Sequence, residues 1–318
     1  MGARALPAII RPYRPGDEPD VLAVWNAALV VDPINAATWR AKVLLDPNFL
    51  PEGCLVAEVA GAARGFRLSI TRQVPFYGDG LQPEQAWITA FGVHPDWQGR
   101  GLGSALLDAA LERLRGLGCK VVTISPYVPN YFTPGVDVNA YRRAVEFLSQ
   151  HGFEVVSRPL SMRAELTGFR VPEPIAETAE RLRQAGIEVR LSQPGDILPV
   201  LTFVKRHFSW DWYRETSEVF RDLFAADPRH VGMLVAVQGD EVLGYAQHRG
   251  ERFGPFGVDP ARRGQGIGRV LLAATLVEML KKGYHAAWFL WTSDDAARLY
   301  ATCGFREARR FAVLRREL

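Results

Sequence analysis

The chain carries one glycine-rich motif twice, and this duplication limits the folds it can adopt more than any other feature. Phe91–Pro95 leads into Gln98–Gly103, and Phe256–Pro260 leads into Arg263–Gly268, 165 residues later. In each copy an apolar strand pattern, a turn and alternating glycines precede an apolar helical pattern. Glycines let the backbone approach a ligand closely, and the unpaired N–H groups at the start of a helix attract anions. Each copy therefore predicts a phosphate-binding loop.

The similarity between the copies extends over most of the chain and predicts two homologous domains. Arg11–Asp17 resembles Arg190–Asp196 at the start of the repeat, and His151–Phe153 resembles Cys303–Phe305 at its end. A repeat of this length can bury its own core, so two copies indicate paired domains rather than a solenoid. The predicted bounds are an N-terminal domain at 1–168, a linker at 169–186 and a C-terminal domain at 187–318.

Hydrophobic periodicity predicts the same order of elements in both domains: a strand and a helix, two or three strands, and then strand, helix, strand, helix and strand. Leu102–Arg115 and Ile267–Lys281 carry apolar residues at helical spacing. Leu55–Val59 and Gly65–Arg72 alternate like the two strands of a hairpin. The predicted fold class is α/β (α+β), with a mixed, mostly antiparallel sheet and flanking helices in each domain.

Composition and charge are typical of a soluble enzyme and exclude several other classes. Hydrophobic residues make up 48% of the 318 residues and charged residues 23%, which is near the globular average. A net charge of +3, without a cluster of basic and aromatic residues, does not favour a nucleic-acid partner. Cys54, Cys119 and Cys303 are widely spaced and predict neither disulfides nor a metal site. Met1–Pro7 is too short for a signal segment and no apolar run reaches membrane-spanning length, so we expect a cytoplasmic protein without a membrane partner.

A dinucleotide site is the main alternative that a glycine-rich loop suggests. Such a site has its glycines near the start of a βαβ unit and an acidic residue at the end of the next strand. Here the loops follow several predicted strands, and the next strands end at Ile124-Ser125 and Trp291-Thr292 without a carboxylate. The sequence therefore favours a different phosphate-bearing ligand.

The motif Val-x-Pro-x-x-(Gln/Arg)-Gly-x-Gly-x-Gly, the apolar helix after it and a closing Gly-Phe resemble the GNAT superfamily of acyl-CoA-dependent N-acyltransferases. The resemblance covers almost the whole chain and occurs twice. It implies that backbone N–H groups of each loop bind the pyrophosphate of acetyl-CoA, and that the strand backbone at Val93 and Val258 pairs with the pantetheine arm. The residues implied in CoA binding are Val93, Gln98, Gly99, Arg100, Gly101, Leu102, Gly103 and Ser104 in the first copy, and Val258, Arg263, Gly264, Gln265, Gly266, Ile267, Gly268 and Arg269 in the second.

A second signature of that superfamily is a helix reading Asn-x-x-Ala-x-x-Leu-Tyr-x-x-x-Gly-Phe, whose tyrosine lies beside the CoA sulfur and often protonates the leaving thiolate. In the C-terminal domain Ser293 replaces the asparagine, and the matching residues are Ala296, Leu299, Tyr300, Gly304 and Phe305. In the N-terminal domain Leu148 replaces the tyrosine, and a leucine cannot exchange a proton. The resemblance therefore implies that Tyr300 is catalytic and that the C-terminal domain carries the chemistry. The alternative is that Tyr300 only packs its helix onto the sheet.

The implied reaction is direct attack of an amine on the thioester, which needs hydrogen-bond donors for the oxyanion and an acid for the thiolate. A backbone N–H near Val258 is suited to the oxyanion. The general base stays open, because the position of the superfamily's glutamate holds Thr89 in one domain and Gly254 in the other. Glu251, His248 and a chain of water molecules are the alternatives.

Two further segments are candidates for the acceptor side. Pro126–Asp137 belongs to a 13-residue insertion in the N-terminal domain, and its prolines and aromatic residues indicate a stiff loop. This loop either lines an acceptor pocket, where Tyr131 replaces the missing acid, or covers a sheet edge or the other domain. His207–Tyr213 is an aromatic cluster that belongs either to a core or domain interface or to an acceptor site, in which Asp211 would pair with an ammonium group.

The sequence thus predicts an N-acetyltransferase that transfers an acetyl group from acetyl-CoA, without a metal, to a small-molecule or peptide amine. The N-terminal domain is expected to keep the CoA-binding geometry as a degenerate domain or a scaffold. The alternatives are a non-catalytic acyl-CoA-binding regulatory or interaction module, and an active site in the N-terminal domain. No motif indicates the acceptor's identity or the oligomeric state.

Overall fold

The computed structural model describes residues 8–225 and 228–318, which form two compact units. Unit 1 contains the chain up to Arg158 together with Phe311–Leu318, and unit 2 contains Pro159–Arg310. Met1–Pro7, which we considered as a signal segment, lies outside the described residues. Within the described ranges, no helix combines the length and the apolar composition that a membrane span requires.

Unit 1 is a mixed sheet with helices on both faces, as the predicted fold class requires. Its strands are β1 (Ile9–Pro12), β2 (Cys54–Val59), β3 (Ala62–Ile70), β4 (Gln85–Val93), β5 (Val121–Ile124), β6 (Val136–Asp137) and β7 (Glu154–Ser157), joined by the end of β14 (Arg306–Glu317). Its helices are α1 (Glu18–Ala28), α2 (Ala36–Trp39), which continues into a π-helical turn at Arg40–Leu44, α3 (Leu102–Gly116) and α4 (Arg142–Gln150).

The order of strands in unit 1 is β1-β2-β3-β4-β5-β14-β7. Neighbours are antiparallel except β4 and β5, which run parallel. Pairing between these two runs from Gln85 opposite Val121 to Ile88 opposite Ile124 and ends there. β4 continues alongside β3 as far as Val93. A gap therefore opens beside the second half of β4.

The two faces of this sheet are covered by different helices. On one face, Trp25 of α1 stacks on Phe66 of β3 with 5.2 Å between ring centroids. On the other face, α3 buries a stripe of apolar side chains whose helical spacing is read directly from the sequence: Leu102, Leu106, Leu107, Ala110, Leu111 and Leu114. Each fully buried leucine contributes roughly 2 kcal/mol of hydrophobic stabilisation, so α3 is firmly anchored by this stripe.

Unit 2 repeats this arrangement. Its strands are β8 (Leu160–Glu165), β9 (Ile187–Leu191), β10 (Val231–Gln238), β11 (Glu241–Arg249), β12 (Arg252–Val258) and β13 (Ala286–Thr292), joined by the start of β14. Its helices are α5 (Glu173–Gln184), α6 (Ile197–His207), α7 (Trp210–Leu223), α8 (Ile267–Lys281) and α9 (Asp294–Ala301). The strand order is β9-β10-β11-β12-β13-β8-β14, and β12 runs parallel to β13.

Each unit contains a strand, or part of one, that the sequence prediction assigned to the other domain. In unit 1, residues 311–317 of β14 lie between β5 and β7. In unit 2, β8 lies between β13 and residues 306–310 of β14. The units therefore differ from the predicted domains at 1–168 and 187–318 in the placement of these two strands.

The predicted linker at 169–186 contains α5, which packs into the core of unit 2. Ile175 and Leu182 of α5 are buried in the apolar cluster that includes the inner face of α8. The predicted linker is thus helical over most of its length, and the apolar side of this helix is part of the fold of unit 2.

The repeated segment that begins with arginine and ends with aspartate has the same role in both units. Arg11 Nη1 lies 2.7 Å from Asp17 Oδ2, and Arg190 Nη1 lies 2.6 Å from Asp196 Oδ2. Each carboxylate also accepts a backbone N–H from the residue three positions earlier. The arginines hold the pKa of both aspartates below the usual value. This motif therefore fixes the turn between the first strand and the first helix of each unit.

Candidate active site

The two glycine loops have the same backbone conformation. Gly99 and Gly101 have φ angles of +71° and +83°, and Gly264 and Gly266 have φ angles of +82° and +90°. These left-handed angles suit glycine and are costly for other residues. Gly101 immediately precedes α3 and Gly266 immediately precedes α8. Each loop therefore presents the unpaired N–H groups of a helix start, which suits an anionic ligand.

A cavity of about 870 Å³ opens in unit 1 where β4 and β5 separate. It is lined by residues 88–93 of β4, by residues 124–125 at the end of β5, by the first glycine loop and by α4. The C-terminal end of α1 also lines it, through Trp25, Ala28 and Leu29. A cavity of this size accommodates a ligand of several hundred daltons.

This cavity reaches both faces of the sheet. On one face, the ring centroids of Phe91 in β4 and Phe147 in α4 are 5.8 Å apart, and Gly103 lies beside Phe147. On the other face, the neighbouring Gly92 lies against Ala28 of α1. All five residues line the cavity. A ligand held by the glycine loop on one face can therefore meet a second ligand bound beside α1 on the other.

Most of the CoA-binding residues predicted in the first copy line this cavity: Val93, Gln98, Gly99, Gly101, Gly103 and Ser104. Gln98 Nε2 donates to the Val93 carbonyl at 3.0 Å, which ties the end of β4 to the loop. The Arg100 guanidinium lies 4.8 Å from the centroid of the Trp97 ring, and Leu102 is buried in the core under α3. The contacts of these residues with CoA stay a prediction.

The proline-rich insertion forms one wall of the cavity. The insertion residues that line it are Phe132, Thr133, Gly135 and Val136. Tyr127 anchors the loop, because its hydroxyl accepts from Asn48 Nδ2 at 2.7 Å and donates to Asp46 Oδ1 at 3.1 Å. Tyr131 is not among the described lining residues, and its carbonyl accepts from Lys42 Nζ at 2.7 Å. The geometry therefore favours the pocket-wall interpretation of the insertion and gives no support to Tyr131 as a replacement acid.

A tyrosine and a carboxylate meet at the α1 end of the cavity. Tyr141 immediately precedes α4, and its hydroxyl donates to Asp32 Oδ2 at 2.9 Å. The same hydroxyl accepts the backbone N–H of Val31 at 3.3 Å. Both side chains are half-buried, and among the described residues that line the cavity Asp32 carries the one carboxylate. Sequence reasoning missed this pair because Asp32 belongs to no motif.

The helix that follows the last parallel strand, α4 in unit 1 and α9 in unit 2, begins with opposite charges in the two units. α4 begins with Arg142 and Arg143, and both line the cavity. The aligned positions of α9, 152 residues later, are Asp294 and Asp295. Asp294 pairs with Arg310 at 2.8 Å. A phosphate-bearing ligand such as CoA is better matched by the arginines of α4 than by the aspartates of α9, although Asp294 and Asp295 pair with Arg310 and Arg298. The signal for this difference is present in the alignment of the two sequence copies.

The glycine loop of unit 2 has less room around it than the loop of unit 1. A Cβ built on Gly266 would lie 2.5 Å from Thr178 Cγ2 of α5. At Gly101 no heavy atom of the described chain lies within 4 Å of such a Cβ. The residue of β12 that aligns with Ala90 is Pro255, which has no N–H to donate. The second loop thus keeps the backbone angles of the first but has less space around it, and the strand before it has one N–H donor fewer than β4.

The other CoA-binding residues predicted in the second copy lie at the surface or in the packing of unit 2. Val258 ends β12, where it pairs with Gly244 of β11. Ile267 is buried, and Gly268 lies beside Phe256. The exposed members are Arg263, Gly264, Gln265 and Arg269.

Tyr300 lies in an aromatic cluster of unit 2. Its ring centroid is 4.4 Å from that of Phe289, 5.7 Å from that of Phe305 and 5.9 Å from that of Phe256. Burial raises the pKa of Tyr300, so its hydroxyl stays protonated at neutral pH. The ring contacts account for a packing role, and the role of Tyr300 as the acid stays a prediction.

The side chains considered as general bases have structural partners. His248 is fully buried, its Nδ1 donates to the Gly250 carbonyl at 3.0 Å, and burial lowers its pKa to about 4. Glu251 accepts the backbone N–H of Ala286 at 3.1 Å, at the start of β13. Thr89 is the extra residue of a β-bulge in β4, and a hydroxyl is too weak a base for an ammonium group.

The aromatic cluster at 207–213 packs within unit 2. Phe208 stacks on Trp212 with 4.7 Å between ring centroids and lies against Gly257 of β12. Asp211 pairs with Arg214 at 2.9 Å. These contacts favour the core interpretation of the cluster, since the carboxylate already has a cationic partner.

Comparison with known proteins gives one consistent family. The model of the acetyltransferase (GNAT) family matches residues 29–153 and 198–305, one range in each unit. The mycothiol acetyltransferase of Amycolatopsis mediterranei is 28% identical over 233 residues, which are 67% of this chain and 70% of that protein. The mycothiol acetyltransferase of Thermobispora bispora is 28% identical over 316 residues, covering 92% of this chain and 93% of that protein. The crystal structure of a GCN5-related N-acetyltransferase from Sphaerobacter thermophilus matches 98% of this chain and 96% of its own, with a TM-score of 0.69 and 21% identity. That likeness shows the fold.

Proposed function

Because this chain belongs to the acetyltransferase (GNAT) family, we propose that it transfers the acetyl group of acetyl-CoA to the nitrogen of an amine, and that the transfer takes place in unit 1. The observation that carries the proposal is the cavity of unit 1, which joins a glycine loop on one face of the sheet to α1 on the other. The relatives named mycothiol acetyltransferases support acetyl transfer as the reaction.

Acetyl-CoA binds along the opening between β4 and β5. Its pyrophosphate lies at the start of α3, where backbone N–H groups and the positive end of the helix dipole stabilise an anion. Its pantetheine arm pairs with β4 beyond Ile88, where β5 no longer pairs. Arg142 and Arg143 place positive charge beside the same cavity, which favours the phosphates of the donor.

The acceptor enters from the α1 face and its nitrogen attacks the thioester carbonyl carbon. A C–N bond forms and the C–S bond breaks. The ammonium form of the acceptor loses two protons in all: one ends on the sulfur of free CoA and the other is released to water. Backbone N–H groups at the edge of β4 stabilise the oxyanion, because donors fixed in place need no reorganisation as charge develops.

A second candidate places the transfer in unit 2, where Tyr300 stands at the position of the superfamily's acid. Burial keeps the Tyr300 hydroxyl protonated at neutral pH, so it holds a proton to donate, and the loop at Gly264 and Gly266 has left-handed angles like those of unit 1. The contact of Thr178 with Gly266 and the two aspartates of α9 weigh against this candidate.

Gly99→Asp and Gly264→Asp form a matched pair that separates the candidates. Both glycines have a left-handed φ, and a Cβ on either meets no heavy atom of the described chain within 4 Å, so both changes bring similar strain and no clash. A carboxylate roughly 4 Å from the pyrophosphate costs about 4 kcal/mol at an effective dielectric constant near 20. We expect Gly99→Asp to weaken acetyl-CoA binding in calorimetry by about 100-fold or more. Acetylation of a panel of primary amines is measured by mass spectrometry. Gly99→Asp should abolish this acetylation, whereas Gly264→Asp should leave most of it.

The opposite charges of α4 and α9 give an independent test. Arg142→Asp with Arg143→Asp gives unit 1 the charges of unit 2, and we expect acetyl-CoA affinity to fall by roughly ten-fold or more. Arg115→Asp with Arg158→Asp changes two exposed positions outside the cavity and controls for net charge.

Acetylation that survives Gly99→Asp and disappears in Gly264→Asp would place the transfer in unit 2. Acetyl-CoA binding by the unaltered protein without acetylation of any amine would indicate a binding module instead.

A further inference from the structure

We propose that Asp32 binds the acceptor: its carboxylate pairs with a primary ammonium group at the α1 end of the unit 1 cavity, and Tyr141 holds that carboxylate in place. The proposal rests on the proposed function, because it names the chemical class of acceptor for the same cavity. That class is a compact primary amine with an apolar body.

Asp32 is held in position from both sides. The Tyr141 hydroxyl donates to its Oδ2 at 2.9 Å, and Trp25 Nε1 donates to its backbone carbonyl at 2.8 Å. The loop that carries Asp32 is closed by two hydrogen bonds between Asn26 and Ile34, of 2.9 and 3.0 Å. The carboxylate therefore keeps its orientation before an acceptor arrives, which lowers the ordering cost of binding.

The charge of Asp32 sets the sign of the ligand. It is the one carboxylate among the described residues that line the cavity. A carboxylate accepts as many as about four hydrogen bonds, so its bond with Tyr141 is compatible with an ammonium group at the same side chain. Arg142 and Arg143 also line the cavity, but they are exposed in the first turn of α4, where the proposed function assigns them to the donor's phosphates.

The rest of the α1 end of the cavity is apolar. Ala28, Leu29 and Phe132 line it, and the ring centroid of Phe132 lies 4.7 Å from that of the buried Trp25. A charge pair is stronger in such surroundings than in water, because the local dielectric constant is lower. An ammonium group attached to a compact apolar body matches both the carboxylate and its neighbours.

The test compares 2-phenylethylamine with 3-phenylpropionate, two probes of similar size and opposite charge, on the full chain with and without CoA. Binding is measured by ligand-observed NMR titration. We expect the unaltered protein to bind the amine in preference to the acid. Asp32→Asn keeps a hydrogen bond to Tyr141 but removes the charge, and should weaken amine binding by about ten-fold or more. Tyr141→Phe should weaken it less, and Asp32→Lys should reverse the preference.

Asp79→Asn is the matched control, because Asp79 is an exposed aspartate of unit 1 that does not line the cavity; amine binding should not change. An unaltered CoA affinity of Asp32→Asn shows that the variant is folded. Equal amine binding by Asp32→Asn and the unaltered protein would overturn the proposal, as would equal binding of the two probes or no amine binding at all. Because amine binding is also measured without CoA, failure of the glycine-loop test counts against the proposed function alone.

Discussion

His248 allows a direct test of side-chain burial in unit 2, because it is a titratable residue that is fully buried in β11. Its Nδ1 donates to the Gly250 carbonyl, and its Nε2 has no hydrogen-bond partner within the part of the chain that the structure describes. The Nε2 atom faces Gly232, where a built Cβ would lie 2.3 Å away. Burial lowers the pKa of His248 from 6.5 to about 4, so the ring is neutral at pH 7.

The difference between these pKa values corresponds to about 3 kcal/mol of free energy. At pH values between these two pKa values, His248 binds a proton in the unfolded chain but not in the folded unit. The free energy of unfolding should therefore fall by about 3 kcal/mol as the pH is lowered from about 6.5 to about 4. Above about pH 6.5 the ring is neutral in both states, and its titration no longer changes stability.

His248→Asn isolates this contribution, since it keeps an N–H donor for Gly250 but does not titrate. Urea unfolding of both proteins from about pH 7.5 to about pH 4 should show the unaltered protein losing about 3 kcal/mol relative to the variant. Gln238→Asn, a polar change in the same unit without a titratable group, should show no such difference. A pH-independent gap between the unaltered protein and His248→Asn would refute the burial argument, and His248 would again be a candidate base.

Two other side chains, the partly buried Tyr300 and the buried Arg67, give predictions. Tyr300→Phe should leave turnover within about two-fold of the unaltered protein, because the transfer is proposed in unit 1. A fall in turnover of about 10²-fold, the size expected for a lost general acid, would place the acid in unit 2. Arg67 of β3 is fully buried, and none of its guanidinium nitrogens has a hydrogen-bond partner among the described residues. Arg67→Met should therefore raise the free energy of unfolding, measured in urea, by about 1–3 kcal/mol. The control is Arg115→Met, which changes an exposed arginine. A loss of stability in Arg67→Met would show that the charge of Arg67 is stabilised in the fold.

Elements with local causes could be predicted from the sequence. α8 spans Ile267–Lys281, the predicted range, because its apolar residues and the glycine before it are both visible in the chain. α1 ends at Ala28, because Leu29 leaves the helical conformation with φ of −109° and ψ of 60°. The turn after it brings the Asp32 carbonyl under Trp25, a contact between residues that no local pattern joins.

The exchange of strands between the units could not be predicted for a related reason. The strand at Leu160–Glu165 and the end of the strand at Arg306–Glu317 are short apolar segments in equivalent places of the two sequence copies. Either would suit either sheet by its pattern. The choice depends on pairing between distant residues, such as Leu314 with Ile124, and periodicity carries no information about it.

The motif comparison favoured the C-terminal domain because it weighed one tyrosine, whereas the geometry also shows space and charge. Losing a general acid costs about 10²- to 10⁴-fold in rate, and water can supply the proton more slowly. Losing the donor site removes the gain from holding the reactants together, which reaches about 7–11 kcal/mol. Unit 1 has Leu148 at the position of Tyr300, but it has an open loop and two arginines beside its cavity. Unit 2 keeps Tyr300 but has Thr178 against its loop and two aspartates on α9. The donor site bears on the larger of these two contributions, and for this reason we propose the transfer in unit 1 rather than beside Tyr300.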